Sequence, residues 1–99
     1  MTSRVMRLLG LGVRAGTVVV GVAGVRAGLQ RDKLACVVLA SDASQRTVDK
    51  VRRLAEARKI PVLRGPSAEQ LGLELGRPPV QAAGVADRAL ANGMRSVEE

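Results

Sequence analysis

The sequence contains no His, no Phe, Tyr or Trp, and a single Cys. Without an imidazole, Ser-His-Asp and Cys-His hydrolases and histidine-ligated metal sites are excluded, because each needs His as a base or a ligand. Without an aromatic ring, RNA recognition by base stacking, as in RRM, OB and cold-shock domains, is also excluded. Any RNA binding must therefore use Arg side chains, backbone groups and shape.

The lone Cys36 lies in the apolar run Leu34–Ala40 and has no second Cys with which to form an internal disulfide or a zinc site. We interpret it as a small buried hydrophobic residue. The longest uncharged apolar stretch, between Arg14 and Arg26, is far shorter than the ~20 residues that span a bilayer. The start of the chain has no apolar signal core, so we expect a cytoplasmic protein with no membrane partner.

The composition predicts a folded basic protein with a polyanionic partner. The chain has 99 residues, which is enough for one compact core, and 46% of them are hydrophobic. Lys and Arg exceed Asp and Glu by 16 to 9, giving a net charge of +7, and 13 of the basic residues are Arg. Arg favours planar, bidentate recognition of phosphate. We predict a single domain over residues 1–95 and a short flexible tail over residues 96–99.

Apolar periodicity predicts alternating helices and strands, beginning with a helix. The helices are expected at residues 3–15, 21–30, about 42–58, 67–75 and 87–93, and the strands at 17–20, 34–40, 60–63 and, weakly, 80–85. The uninterrupted apolar run at 34–40 is typical of a central strand buried on both faces. The order predicts a three-layer α/β/α sandwich around a small four-stranded sheet, mixed or mainly parallel.

Polar residues at element boundaries predict helix caps. Asp42 with Gln45 and Ser67 with Gln70 have the spacing of capping boxes, and Asp87 can cap the last helix. The turn 41–44 leaves three interpretations open: a catalytic carboxylate beside a hydroxyl, a helix cap, or a contact with a nucleic-acid backbone. The glycines of residues 10–16 precede their strand and do not match G-x-G-x-x-G, and the chain has no Walker-type loop.

Four arginines lie at or near predicted element boundaries, several of which would share one end of the sandwich. They are Arg14, Arg26, Arg46 and Arg64. We expect this subset to contact phosphate, while many of the other basic residues serve solubility.

An ordered set of short segments resembles a known family. The segments are Leu8–Leu11, Arg14–Gly16, Val19–Gly21, Val37–Ser44, Ile60–Val62, and Leu71-Gly72 with Gly76. Over about residues 3–95 the chain resembles the kink-turn-binding ribosomal protein family L7Ae/L30e, and more narrowly its small bacterial members.

The resemblance implies an α/β/α sandwich that binds structured RNA, above all the kink-turn with its tandem sheared G·A pairs. It implies no catalysis. We also expect a monomer that associates with ribosomal or other structured RNA in translation or in a ribonucleoprotein, with no cofactor and no metal. The strand that ends at Gly21, the turn at Ser41 and the loop 63–67 are then expected to form the contact surface. With the boundary arginines, the candidate RNA-binding residues are Arg14, Gly21, Val22, Ala23, Gly24, Arg26, Ala27, Ser41, Asp42, Arg46, Arg64, Gly65, Pro66 and Ser67.

The sequence departs from the family at three positions after Gly21. Typical kink-turn readers carry polar or acidic side chains two and three places after this glycine and a Lys six places after it. This chain has Ala23, Gly24 and Ala27 there. The alternative hypothesis is therefore a protein-interaction module that kept the fold and exchanged these side chains for a smooth apolar patch.

Overall fold

The computed structural model describes residues 3–98, in which helices and strands alternate in the predicted order. The elements are α1 Ser3–Arg14, β1 Val18–Val20, α2 Val22–Gln30, β2 Cys36–Leu39, α3 Gln45–Ala57, β3 Val62–Arg64, α4 Ala68–Leu75, β4 Ala82–Val85 and α5 Arg88–Glu98.

The four strands form one mixed sheet with the order β1-β4-β2-β3. β2 and β3 are parallel, whereas β4 runs antiparallel to both of its neighbours, β1 and β2. This confirms the mixed sheet. The mainly parallel alternative is wrong, because β4 inserts between β1 and β2 and runs antiparallel to both. Pro61 directly precedes β3, an edge strand, where a missing backbone N–H is tolerated.

The strand with the weakest sequence signal, β4, lies in the interior of the sheet. Its residues Ala82, Ala83, Gly84 and Val85 are all buried. Gly84 has no room for a side chain, because Leu34 occupies the space above it: an added Cβ would lie 2.6 Å from Leu34 Cδ1. Three of the four β4 residues are small, so the strand lacks the run of β-branched residues that usually marks a central strand.

The core has two parts, one on each face of the sheet. On one face, α1, α4 and α5 pack against Cys36 and Val38 of β2. On the other face, α2 and α3 pack against Val37 and Leu39. Alternate residues of β2 thus serve opposite layers, which explains its continuous apolar run and confirms the three-layer sandwich.

Most of the predicted helix ends are present. Gly16 follows α1 with a positive φ of 78°, and Gly76 ends α4 in the left-handed conformation. The Ser67 hydroxyl accepts a hydrogen bond from the Gln70 backbone N–H at 3.2 Å, and Asp87 accepts one from the Leu90 N–H at 2.9 Å. Each satisfies a backbone donor in the first turn of its helix.

The C-terminal helix is longer than the sequence pattern predicts. α5 passes Gly93, where its end was expected, and continues to Glu98. The residues 96–98, expected in the tail, belong to α5, and residue 99 lies outside the described residues. The periodicity misses this extension because the buried Met94 is followed by the exposed Arg95 and Ser96, which continue no apolar stripe.

Candidate nucleic-acid interface

Backbone hydrogen bonds align the ends of β1, β2 and β3 with the start of β4. The Gly21 N–H donates to the Ala82 carbonyl at 2.8 Å, and the Ala40 N–H donates to the Gln81 carbonyl at 2.9 Å. The Ser41 N–H in turn donates to the Pro66 carbonyl at 2.8 Å. Together they define what we call the strand-end surface, formed by residues 21–22, 41–46, 64–67 and 81.

Three helices begin at the strand-end surface, because α2, α3 and α4 each follow a strand that ends there. Each N-terminus contributes the positive end of a helix dipole, although side chains cap some N–H groups of α3 and α4. The first turns of α2 and α3 contain no acidic residue, whereas that of α4 contains Glu69. The starts of α2 and α3 are therefore the parts of the surface most attractive to phosphate.

The N-terminus of α2 is bare. Its N-cap, Gly21, has φ 104° and ψ 156° and provides no side-chain hydrogen bond to the helix. This conformation belongs almost exclusively to glycine, so the sharp turn from β1 into α2 requires glycine at this position. Consequently, no side chain at the cap shields the first N–H groups of α2 from a ligand.

Asp42 lies on this surface but caps a different helix from the one predicted. Its Oδ1 accepts a hydrogen bond from the Ala68 N–H, the first residue of α4, at 2.7 Å. The predicted capping box with Gln45 is wrong because Ser44 is the N-cap of α3, and its Oγ accepts from the Thr47 N–H at 3.2 Å. Asp42 is therefore a helix cap, and the helix that it caps is α4.

Gln81 is a residue of the surface that the sequence reasoning missed. Its side-chain Oε1 accepts a hydrogen bond from the Ser44 N–H at 3.1 Å, so it ties the entry of β4 to the turn before α3. The contact spans 37 positions of sequence and depends on β4 lying beside β2. No local pattern could have indicated it.

A cavity of about 180 Å³ opens on this surface between α3 and the end of β3. Its lining consists of Leu39, Ala40, Ser41, Val48, Arg52 and Arg64. Two guanidinium groups and a hydroxyl thus border an apolar floor, an arrangement suited to a phosphate oxygen or the edge of a base. Arg52 was missed, although its i,i+4 spacing from Val48 places both on one side of α3.

The other predicted residues near this end differ in exposure. Arg46 and Arg64 are exposed, whereas Gly65 is buried, and a Cβ there would lie 2.9 Å from Val38 Cγ1. Gly65 therefore shapes the loop and allows Pro66 to pair with Ser41.

The residues of α2 form the flank of the surface. Ala23 is exposed, and Val22, Gly24 and Ala27 are partly buried, with Gly24 close to Val19. Arg26 is also partly buried, and its Nε atom is buried without a hydrogen-bond partner. The flank is thus smooth and nearly free of polar side chains.

Arg14 does not lie with the other predicted residues. It ends α1, and the chain enters β1 at Thr17, whose carbonyl accepts from the Ala86 N–H beyond the far end of β4. Gly21, at the other end of β1, pairs with Ala82. The last residue of α1, Arg14, thus lies toward the end of the sheet opposite Gly21, away from the strand-end surface.

The described residues 3–98 hold no cluster of three or more Cys, Asp or Glu side chains that could bind a metal ion. Over the same range, no helix is long and apolar enough to cross a membrane.

The model of the ribosomal protein L7Ae/L30e/S12e/Gadd45 family matches residues 3–93. The fold is similar to that of a protein of unknown function from Bacillus halodurans C, with a TM-score of 0.92, 26% identity, and coverage of 99% of this chain and 100% of that one. It is also similar to the Giardia lamblia 15.5kD RNA binding protein, with a TM-score of 0.77, 19% identity, and coverage of 98% and 87%. No curated protein matches the sequence.

Proposed function

The chain belongs to the ribosomal protein L7Ae/L30e/S12e/Gadd45 family, and from that premise we propose that it is a noncatalytic RNA-binding protein whose strand-end surface binds structured RNA of the kink-turn type. The similarity to the Giardia RNA binding protein supports the same class of ligand. In this proposal the protein works in the cytoplasm as a monomer within a ribonucleoprotein, in association with ribosomal or other translation-related RNA.

One observation carries the proposal: the pairing of Gly21 with Ala82 and of Ser41 with Pro66 gathers three helix N-termini on one surface. Arg46, Arg52 and Arg64 add positive charge to the same region. Phosphate oxygens fit both kinds of donor, since backbone N–H groups provide geometry and Arg provides charge.

The small residues of α2 set the mode of recognition. The side chains of Ala23, Gly24 and Ala27 provide no donors to the edges of G·A pairs, so affinity must come from backbone and phosphate contacts and from the shape of the RNA. If about five phosphates are neutralised, the logarithm of affinity falls against the logarithm of salt concentration with a slope of roughly −3.5 to −4.5. Their small size also lets an RNA backbone approach the start of α2 closely.

The experiment measures binding to a kink-turn RNA and to the same RNA with its sheared G·A pairs replaced by Watson–Crick pairs, each at two salt concentrations. Tighter binding to the intact kink-turn supports recognition of its shape. Equal, salt-sensitive binding to both RNAs supports a general RNA binder and overturns the kink-turn part. A flat salt response or no binding to either RNA overturns the whole proposal.

The flank of α2 favours one second candidate, a surface for self-association or for a protein partner. Ala23 is exposed, and the neighbouring Val19 of the edge strand β1 is 37% exposed beside Gly24. Sedimentation over a wide concentration range tests the self-association version. A single monomeric species at the highest concentration would eliminate it.

A further inference from the structure

The outer face of α1 carries a basic stripe that the strand-end surface does not use. Arg4, Arg7, Leu11 and Arg14 are all exposed. Their spacings of three, four and three residues keep them on one side of the helix, since each residue turns it by about 100°. Leu11 is 54% exposed, so the stripe is basic with an apolar side chain between its second and third arginines.

A cavity lies beside this stripe, between α1 and α4. It has a volume of about 160 Å³, and its lining consists of Met6, Arg7, Gly10, Leu11, Arg14 and Glu74. We call it the α1–α4 groove. Gly10 leaves the middle of the groove open, because even a Cβ there would only reach ordinary contact, 3.8 Å from the Glu74 carbonyl oxygen. A protein cavity of about 150 Å³ accommodates a molecule the size of benzene, so this one has room for a single apolar side chain.

The chemistry of the groove distinguishes it from a phosphate site. Met6, Gly10 and Leu11 form an apolar part, which is complementary to a hydrocarbon side chain. Glu74 also lines the groove, so a partner must place its own carboxylates toward the arginines and away from this side chain. Arg7 and Arg14 border it and would attract carboxylates of a partner.

We propose that the α1–α4 groove docks an acidic amphipathic helix of a partner protein, with one Leu- or Met-sized side chain in the cavity and its carboxylates on Arg4, Arg7 and Arg14. The occupant follows from charge complementarity along the stripe and from the cavity beside it, whose lining is partly apolar.

The groove and the strand-end surface lie in different parts of the molecule. The groove belongs to the layer of α1 and α4, and Arg14 marks the end of the sheet opposite Gly21. RNA and the acidic helix therefore do not compete for the same residues, and the failure of one interaction leaves the other testable.

The probe is a fluorescein-labelled synthetic helix with Glu residues flanking a Leu stripe at i, i+4 and i+7, titrated with the full chain and followed by fluorescence anisotropy. Replacing Arg7 and Arg14 together by Glu is expected to weaken binding at least about tenfold. Gly10→Leu, which fills the cavity and preserves the charge, is expected to weaken it similarly. Thermal unfolding confirms that each variant is folded.

The matched control reverses two exposed charges on the opposite layer, Arg53→Glu with Lys59→Glu, which gives the same net charge. It is expected to leave the affinity unchanged. Equal weakening by the control, or full affinity in the Gly10→Leu variant, would refute the docking site. Displacement of the probe by a single-stranded RNA that also needs Arg7 and Arg14 would refute it as well, because the stripe would then be a nucleic-acid surface.

Discussion

The Asp42 carboxylate accepts a hydrogen bond from the Ala68 backbone N–H at 2.7 Å, so the turn after β2 caps the helix that follows β3. The parallel pairing of β2 with β3 brings these two turns side by side. One exposed carboxylate thereby joins two of the segments that form the strand-end surface. It is also a negative charge on a surface that we propose binds phosphate.

Asp42→Ala is expected to lower the free energy of unfolding by about 1 kcal/mol, as the loss of a helix cap does. Asp42→Asn keeps an oxygen acceptor, so most of the stability is retained, while one negative charge leaves the surface. We expect Asp42→Asn to bind RNA more tightly than the wild type, and the effect to shrink at high salt. Urea unfolding and an RNA titration measure the two effects. Weaker RNA binding by a stable Asp42→Asn protein would contradict this role.

The order of elements and the layers could be predicted because their signals are local. The apolar run of residues 34–40 marks a strand buried on both faces, and Gly16 and Gly76 end helices in the conformation that glycine favours. The turns after β1, β2 and β3 were also expected together, and the hydrogen bonds of Gly21 and Ser41 place them in one row.

The remaining features depend on contacts that are distant in sequence. The interior position of β4 consists in its pairing with both β1 and β2, and nothing in residues 80–85 alone indicates it. Asp42 caps α4 and not α3 because Ser44 is better placed for the nearer helix. The position of Arg14 could not be predicted, because an element boundary does not specify which end of the sheet it occupies.

Arg64→Ala is expected to weaken RNA binding to all sequences alike and to reduce the salt slope by about 1, as the loss of one phosphate contact does. Arg64 is exposed and lines the cavity with Arg52. Arg88→Ala is the matched control, because Arg88 is equally exposed but begins α5, at the other end of β4. Both variants are compared by titration at several salt concentrations. Equal losses of RNA affinity in the two variants would show that the net charge of the protein, and not the strand-end surface, determines binding.

The Cys36 thiol is expected to be unreactive in the folded protein. Burial raises its pKa from 9.0 to about 11, with the positive charge of Arg95 partly opposing this. Native protein should therefore react with a thiol reagent at about pH 8 only as fast as it unfolds. Rapid labelling in the absence of urea would contradict the burial of this side chain.

The raised pKa of Cys36 also predicts that the free energy of unfolding depends on pH. The folded chain keeps the thiol proton where the unfolded chain loses it, so the contribution to stability is complete below about pH 9 and is lost as the pH rises toward 11. Urea unfolding of the wild type and of Cys36→Ala at about pH 7 and pH 10 measures this. Between about pH 7 and pH 10 the wild type should lose more stability than Cys36→Ala. An equal loss in the two proteins would assign the pH dependence to other groups.

Gly72→Ala and Gly93→Ala are expected to have opposite effects, although both replace a helical glycine. A Cβ on Gly72 would collide with the Pro78 carbonyl and lie 2.8 Å from that of Arg77, whereas a Cβ on Gly93 meets nothing within 4 Å. Gly93→Ala should raise the free energy of unfolding by up to about 1 kcal/mol, and Gly72→Ala should lower it by about 1–3 kcal/mol. Urea unfolding compares them.

The Gly72 variant should also lose RNA affinity under conditions where it remains folded. The segment that its new methyl group displaces runs back along α4, where the Val80 N–H donates to the Ala68 carbonyl, and continues into Gln81. Since Gln81 holds the turn at Ser44, a shift of this segment disturbs the strand-end surface from behind. Undiminished RNA binding by a destabilised Gly72→Ala protein would show that the surface does not depend on this support.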